Sequence, residues 1–264
     1  MTAIDPGVDA RLRHLAGLPR LLVAVDFDGT LSPLVADPMS ARATPDAKAA
    51  VAALAATPGT TVAFVSGRSL ADLRVIAEHD DASPVWLAGS HGAEHWRPAG
   101  VPPRMRPVAL DDDRAVGQAE RVIGEAHGLV EPFDGAWIED KSFGFALHTR
   151  TASPDVEERA GAALDALMSE RAPRWRRRVG KHVLEYSWRH EGKDTAIAEL
   201  REETAADAVV FAGDDVTDED ALRSLEDGDL GIRVGEGETA ADVTVADTPE
   251  LAAVLTALAA YRAS

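Results

Sequence analysis

The chain has 264 residues, no cysteine and a formal net charge of −18. Its length suits one domain with a smaller companion, and the lack of cysteine excludes disulfides, thiol nucleophiles and zinc–thiolate sites. The negative charge argues against nucleic acid and anionic membranes as partners. No stretch approaches the roughly 20 apolar residues of a membrane span, and the first residues lack the apolar core of a signal peptide. We therefore expect a soluble, cytoplasmic monomer.

Strands and helices alternate in the first hundred residues. Short apolar runs predict strands, whereas apolar positions recurring at helical spacing after a capping residue predict helices. The predicted strands are residues 21–25, 60–65 and 85–89, and the predicted helices are residues 44–57 and 69–79. This alternation indicates parallel pairing and an α/β fold.

The pattern changes after residue 96. Residues 96–107 are rich in proline and predict a linker or hairpin. Alternating apolar and polar residues then predict antiparallel strands, with Phe143, Phe145 and Leu147 on one face. The predicted elements are a helix at 112–127, a strand or hairpin at 136–150, a helix at 153–170, and two strands within 174–188. The segment is typical of an inserted α+β domain.

The α/β pattern returns near residue 190. It predicts helices near 193–204, from about 218 and at 248–261, with strands at 208–213 and 230–234. The prediction is therefore one doubly wound, Rossmann-like core with a parallel sheet, formed by residues 1–100 and 190–264. Residues 101–189 interrupt this core.

Polar side chains follow four of the predicted core strands. Ligands of open parallel sheets bind beyond the carboxyl ends of the strands. Each of these polar segments alone fits a turn or a helix cap, but their joint occurrence at strand ends favours a single site. The segments are Asp26 and Asp28; Ser66, Gly67 and Arg68; His91; and Asp214 and Asp215.

The clustered carboxylates predict a magnesium site. Carboxylates in one crevice repel each other, and oxygen ligands without His or Cys favour Mg²⁺ over zinc. The predicted metal ligands are Asp26, Asp28, Asp214 and Asp215. A carboxylate in such a site can attack phosphorus, with Asp26 as the nucleophile. Asp28, two residues on, is the candidate general acid and base.

Other polar residues suit phosphate chemistry. Thr30 and the glycine before it fit a tight loop whose N–H groups face phosphate. Ser66 can hydrogen-bond a phosphoryl oxygen, and Lys193 can neutralise charge on the transferring group. Asp215 and Asp218 are candidates for ordering waters or Lys193.

These residues resemble the motifs of the haloacid dehalogenase superfamily of phosphatases. "DFDGTL", Ser66, Lys193 and "GDDVTDED" match its four motifs in order. The resemblance implies Mg²⁺-dependent hydrolysis through an aspartyl phosphate on a Rossmann-like core. The insertion resembles a C2-type cap, which implies closure over the substrate.

Within that superfamily, the chain resembles the trehalose-6-phosphate phosphatases. "SGR", "GSHGAE" and the insert's "IEDKSFGFALHTR" are similar to that family's motifs. The resemblance implies hydrolysis of a small sugar phosphate, trehalose 6-phosphate. The implied substrate-binding residues are Thr30, Ser66, Gly67, Arg68 and His91 in the core, with Glu139, Lys141, His148, Arg150 and Glu185 in the insert.

The residues alone leave alternatives open. Without the motifs, Glu139, Lys141, His148 and Arg150 would be interpreted as polar residues on the solvent-exposed face of a sheet. The sequence also departs from the family, because Tyr186-Ser187-Trp188 follows Glu185 and Asp194 follows Lys193. Another sugar or pseudo-disaccharide phosphate is thus an alternative substrate. A catalytically silent sugar-phosphate sensor is an alternative of another class.

Overall fold

The structure is a computed structural model that describes residues 5–101, 113–180 and 182–264. The chain divides into two compact units. The core unit comprises Met1–Arg104 and Glu191–Ser264, and the inserted unit comprises Met105–His190. The boundaries lie at residues 104 and 190, against residues 100 and 189 expected from the sequence.

The elements are numbered in chain order over the described residues. The strands are β1 (Leu21–Val25), β2 (Thr60–Val65), β3 (Trp86–Gly89), β4 (Glu94–Trp96), β5 (Trp137–Lys141), β6 (Gly144–His148), β7 (Arg176–Gly180), β8 (Val183–Ser187), β9 (Ala208–Gly213), β10 (Leu230–Val234) and β11 (Val243–Val245). The helices are α1 (Pro6–Ala16), α2 (Pro45–Ala55), α3 (Leu70–Ile76), α4 (Asp113–Val130), α5 (Pro154–Arg171), α6 (Lys193–Thr204), α7 (Asp218–Arg223) and α8 (Thr248–Arg262).

The core unit contains a sheet in the order β11-β10-β9-β1-β2-β3-β4. Its pairings are parallel apart from β3 with β4. Val23 of β1 lies between Val62 of β2 and Val210 of β9. The chain leaves β1 towards β2 and later returns on the other side, so β1 lies at a switch point, where open sheets bind ligands. The predicted α/β class is confirmed.

Strand β1 is buried on both faces, as its continuous apolar sequence requires. Val23 and Val25 belong to the cluster that includes residues of α1, α2 and α8. Leu22 and Ala24 belong to a second cluster that includes residues of α6. Full burial of a Val or Leu side chain contributes about 1.5–3 kcal/mol to the free energy of unfolding. The packing of β1 therefore fixes the position of Asp26, the residue that follows the strand.

Three elements of the core unit were not predicted. Helix α1 begins after Asp5, whose carboxylate accepts hydrogen bonds from the N–H groups of Gly7 and Val8. Strand β4 is antiparallel, and β11 is only three residues long. Short edge strands carry too few alternating positions to be recognised from periodicity.

The inserted unit contains an antiparallel sheet in the order β5-β6-β8-β7. One face packs on α4 and α5 through a cluster that includes Phe145, Leu147 and Leu164. Phe143 lies in the turn between β5 and β6, so the strand does not present it beside Phe145 as expected. Residues 102–112, which include part of the predicted linker and the first residue of the predicted helix 112–127, lie outside the described residues.

The arginine-rich segment forms β7 at an edge of this sheet. Arg177 pairs with Asp165 and Arg178 with Glu185. These two arginines are therefore neutralised within the inserted unit. In the described ranges, none of the helices is long and apolar enough to cross a bilayer.

Candidate active site

The site begins where β1 ends. The N–H of Asp26 donates to the carbonyl of Ala212 at 2.9 Å, which extends the pairing of β1 with β9 by one residue. The side chain of Asp26 is only 6 % exposed. The strand thus places the Asp26 carboxylate in a position that is largely buried from solvent, where its negative charge needs compensation.

Lys193 provides part of that compensation. Its Nζ donates to Asp26 Oδ1 and to Asp218 Oδ1, both at 2.6 Å. Lys193 is the first residue of α6, and its side chain is 3 % exposed. The other oxygen of Asp218 accepts the N–H of Asp215 at 3.0 Å. Asp218 therefore holds both the ammonium and the loop after β9.

Thr30 connects two carboxylates. Its Oγ1 lies 3.4 Å from Asp26 Oδ2 and 3.2 Å from Asp214 Oδ1. Gly29 precedes it with a φ of +77°, and a Cβ at Gly29 would lie 2.0 Å from Asp214 Oδ2. Both the left-handed backbone and the close approach of Asp214 require glycine here.

Asp28 is paired with Arg68. Arg68 Nε donates to Asp28 Oδ2 at 2.6 Å, and Nη2 donates to Oδ1 at 2.7 Å. The N–H of Arg68 also donates to Ser66 Oγ at 3.2 Å. The bidentate geometry fixes the orientation of the Asp28 carboxylate. In this structure, the charge of Arg68 is directed at Asp28.

Gly67 and His91 are neighbours. His91 has a left-handed backbone with a φ of +56° and is buried. Its N–H donates to the carbonyl of Ser66 at 2.9 Å. A Cβ at Gly67 would approach the His91 ring to 2.7 Å, so the imidazole packs directly on this loop. The ends of β2 and β3 are thereby joined.

The buried acids are strongly perturbed. Burial, with the nearby charges of Asp218 and Asp214, holds the pKa of Asp26 well above its usual range despite Lys193. Burial and the charge of Asp218 raise the pKa of Asp214 to about 7. Burial opposes the charge of Lys193, but Asp218 and Asp26 outweigh it and raise the pKa of the ammonium. A single ammonium leaves this group of carboxylates with excess negative charge.

A divalent cation would compensate the excess negative charge of these carboxylates. Carboxylate oxygens of Asp26, Asp214 and Asp218 lie within 4.8 Å of one another. Both Asp218 oxygens already accept hydrogen bonds, whereas Asp26 and Asp214 carry the raised pKa values of under-compensated acids. An all-oxygen donor set of this kind suits Mg²⁺. The predicted ligands Asp28 and Asp215 lie outside this group of three.

One pair of residues that supports the acidic loop was missed. Arg233, in β10, donates to the carbonyl of Asp215 at 3.1 Å and to Glu219 Oε1 at 3.3 Å. Glu219 Oε2 accepts the N–H of Ala240 at 2.9 Å. A charged residue within the apolar run "LGIRV" was the available signal, because a buried guanidinium needs a partner.

The predicted sugar-binding residues lie in the inserted unit. Glu139 Oε1 accepts from Lys141 Nζ, and Oε2 contacts His148 Nε2, both at 2.6 Å. Glu185 pairs with Arg178 at 3.0 Å. Strand β6 ends at His148, so Arg150 lies exposed in a turn and does not continue the strand face as expected.

The Rossmann-like sheet with acids at its carboxyl edge defines a haloacid dehalogenase-like fold. A haloacid dehalogenase-like hydrolase from B. subtilis has a similar structure, with a TM-score of 0.56, 15% identity, and coverage of 89% of this chain and 98% of that chain. The family model described as trehalose-phosphatase matches residues 24–251, and the chain belongs to that family.

Curated relatives are named trehalose-phosphate phosphatases. Trehalose-phosphate phosphatase of Mycobacterium marinum is 33% identical over 236 residues, which cover 87% of this chain and 57% of the relative. The Mycobacterium avium protein of the same name is 36% identical over 217 residues, covering 78% of this chain and 51% of the relative. The chain thus spans about half the length of these relatives.

Solved structures show the same fold. Trehalose-6-phosphate phosphatase of Aspergillus fumigatus matches with a TM-score of 0.69 and 26% identity, over 98% of both chains. The C-terminal domain of the C. albicans trehalose-6-phosphate phosphatase matches with a TM-score of 0.79 and 22% identity, over 98% of this chain and 99% of that chain.

Proposed function

We propose that this chain is a Mg²⁺-dependent phosphatase that hydrolyses trehalose 6-phosphate to trehalose and phosphate through an aspartyl phosphate on Asp26. The observation that carries the proposal is the setting of Asp26. Its carboxylate is buried at the end of β1, hydrogen-bonded to Lys193 at 2.6 Å and adjacent to Asp214. Family membership supports the choice of ester.

In the first half of the reaction, a carboxylate oxygen of Asp26 forms a bond to phosphorus as the bond from phosphorus to the sugar oxygen breaks. Asp28 donates a proton to that sugar oxygen. In the structure, both Asp28 oxygens accept hydrogen bonds from Arg68. Each carboxylate oxygen has two lone pairs, so Asp28 can carry the proton on one of them while Arg68 stays bound.

In the second half, a water molecule attacks phosphorus and gives its proton to Asp28. The bond between Asp26 and phosphorus then breaks, which releases phosphate and restores the carboxylate. Lys193 stays beside Asp26 throughout and offsets negative charge on the phosphoryl group. The hydroxyl of Ser66 would donate a hydrogen bond to a phosphoryl oxygen, and its position directly after β2 supports this role.

Asp26 and Asp214 are the residues that would hold Mg²⁺, with Asp28 and Asp215 as the further predicted ligands. When bound, the cation supplies charge neutralisation on the phosphoryl oxygens. Glu139, Lys141 and His148 would bind sugar hydroxyls. The charge-assisted hydrogen bonds among these three side chains fix their orientation, which supports this role.

The test measures phosphate release from trehalose 6-phosphate, sucrose 6-phosphate, glucose 6-phosphate and a glycosyl-phosphoglycerate, with Mg²⁺ and with chelator. We expect a Mg²⁺-dependent preference for trehalose 6-phosphate. Asp26→Asn should lower kcat by at least about 10⁴-fold with an unchanged circular dichroism spectrum.

Preference for another ester would retain the mechanism and refute the substrate. Retained turnover in Asp26→Asn would exclude Asp26 as the nucleophile. If none of the esters is hydrolysed but trehalose 6-phosphate binds, the chain is a sugar-phosphate sensor.

A further inference from the structure

Strand β5 presents a row of side chains on the face of the inserted sheet that points away from α4 and α5. Strand alternation places Trp137, Glu139 and Lys141 on this face, whereas Ile138 belongs to the apolar cluster on the other face. His148 of β6 pairs directly with Trp137 across the strands. Trp137 and His148 therefore lie side by side on a predominantly polar surface.

The indole of Trp137 is exposed yet held in place. Trp137 is 46 % exposed, although burial of a large apolar side chain is favourable. Its ring stacks on the imidazole of His148 with centroids 4.9 Å apart and planes 12° from parallel. Such a stack restricts an already rigid side chain, so a ligand that contacts the indole meets a surface with little rotamer entropy left to lose.

Hydrogen-bonding groups continue the row beside the indole. His148 Nε2 contacts Glu139 Oε2, and Glu139 Oε1 accepts from Lys141, so one carboxylate joins the imidazole to the ammonium. The hydrogen bond to His148 outweighs partial burial and lowers the pKa of Glu139 to about 2. The row thus combines an apolar plane with a fixed acceptor and a fixed donor.

This combination matches one face of a pyranose. A pyranose ring carries C–H bonds on its faces and hydroxyls around its rim, and the electron-rich face of indole attracts the C–H bonds. The Lys141 ammonium is already paired with the Glu139 carboxylate at 2.6 Å, so the row offers hydrogen-bonding groups for sugar hydroxyls and no isolated cation for a phosphate dianion. The imidazole of His148 covers one face of the Trp137 indole, so a sugar ring would stack on the other face of this platform. The proposed function assigns the phosphate to the site at Asp26, so the ring matched to this face is the one without phosphate.

We propose that Trp137 is a specificity-determining residue that stacks on the phosphate-free glucosyl ring of the disaccharide phosphate. The inference rests on the proposed function, because it assigns a contact to the second ring of that substrate. It predicts that Trp137 distinguishes the disaccharide phosphate from a monosaccharide phosphate.

The test compares kcat/KM for trehalose 6-phosphate with that for glucose 6-phosphate, which keeps the phosphate and one ring. In Trp137→Ala, the ratio of the two values should fall about 10-fold. In Trp137→Phe, which retains a smaller aromatic face, it should fall about 3-fold. The melting temperature of both variants should stay within about 3 °C of the wild type, because the side chain is exposed.

Val179→Ala is the matched control. Val179 is also an apolar side chain of the inserted sheet and is 50 % exposed, but it lies on β7. Its removal should leave the ratio unchanged. A second readout, the Kd for trehalose alone by saturation-transfer NMR, should rise about 10-fold in Trp137→Ala.

The outcomes separate this inference from the proposed function. An unchanged ratio in Trp137→Ala, with wild-type preference for trehalose 6-phosphate, overturns the platform and leaves the proposed function intact. Equal losses with both esters also overturn it, since they indicate a structural role. If the wild type binds trehalose through Trp137 but hydrolyses neither ester, the platform stands and the proposed function falls.

Discussion

At the residue scale, the site is defined by unequal compensation of its charges. Asp28 has its own guanidinium in Arg68, whereas Asp26 and Asp218 share the ammonium of Lys193. The residue types and their positions at strand ends could be predicted from the sequence. Their pairing could not, because the partner of each carboxylate depends on side-chain packing between segments distant in the sequence.

Substitution of Gly29 should damage the site more than the fold. In Gly29→Ala, the left-handed backbone costs about 1–2 kcal/mol of the free energy of unfolding. The new Cβ would also displace the Asp214 carboxylate, because Oδ2 lies 2.0 Å from the position that this Cβ would occupy. We expect kcat/KM to fall at least about 100-fold.

Gly228→Ala is the matched control for this substitution. Gly228 has a φ of +98°, and a Cβ added there would meet no described atom within 4 Å. This variant should lose similar stability in chemical denaturation while keeping its turnover. Equal losses of turnover in the two variants would show that backbone strain, and not displacement of Asp214, causes the effect.

The stabilising effect of Mg²⁺ should depend on pH. The pKa of Asp214 is about 7 in the folded, metal-free protein, against an ordinary value of 3.8. The folded state therefore retains a proton that the unfolded chain has lost, and the metal-free site loses stability as the pH rises from about 4 to about 7. A cation binds the ionised carboxylate and competes with that proton.

We expect Mg²⁺ at about 5 mM to raise the melting temperature more at pH ~8 than at pH ~6, because the cation binds the ionised carboxylate. Asp214→Asn should reduce the shift at both pH values. Equal shifts of the wild type at the two pH values would contradict control by this carboxylate.

At the element scale, the start of α6 positions the ammonium. Gly192 is the N-cap and has no side chain, so Thr195 takes the capping role. The Thr195 hydroxyl accepts the N–H of Gly192 and donates to its carbonyl, both at 2.8 Å. Lys193 is the next residue, so its orientation depends on this turn.

Thr195→Val should loosen that turn. The variant keeps the shape of the side chain but loses the hydrogen bonds, which should cost about 1 kcal/mol of unfolding free energy. We expect kcat to fall about 5-fold because Lys193 is less well fixed. Thr204→Val is the control at the other end of α6, where the hydroxyl donates to the carbonyl of Leu200. If both variants lose kcat equally, general destabilisation of α6 explains the loss.

The sequence was informative for elements with long periodic patterns. It failed for α1, although Asp5 and Pro6 form a recognisable start signal and Leu12 and Leu15 are buried one turn apart. Arg150 shows the opposite error, because alternation was extended past His148, where β6 ends. The end of a strand depends on where its partner stops pairing, which a single segment does not record.

At the scale of the whole molecule, each unit has its own apolar core. Leu164 is fully buried in the inserted unit, and Leu255 is fully buried in the core unit. Truncation of either leucine should cost about 2–5 kcal/mol of unfolding free energy. Leu164→Ala should destabilise the inserted unit, and Leu255→Ala should destabilise the core unit.

We expect Leu164→Ala to reduce hydrolysis of trehalose 6-phosphate more than that of a small aryl phosphate, because the residues proposed to bind the sugar lie in the inserted unit. Leu255→Ala should reduce both activities together at the same fraction unfolded. Chemical denaturation followed by circular dichroism, with both substrates assayed at each point, measures these effects. Parallel loss of both activities in Leu164→Ala would contradict separate roles for the two units.

The division of the core unit into two chain segments has a consequence for folding. Strand β1 of the first segment pairs with β9 of the second. Beside this pair, the N–H of Arg20 donates to the carboxylate of Asp207, which is 187 residues away in the sequence. The inserted unit, in contrast, is continuous in sequence. During synthesis, β1 must wait unpaired on one side until β9 leaves the ribosome, while the inserted unit can already fold. We expect β1, with its apolar side chains and one unpaired edge, to be the segment that a nascent-chain chaperone must shield.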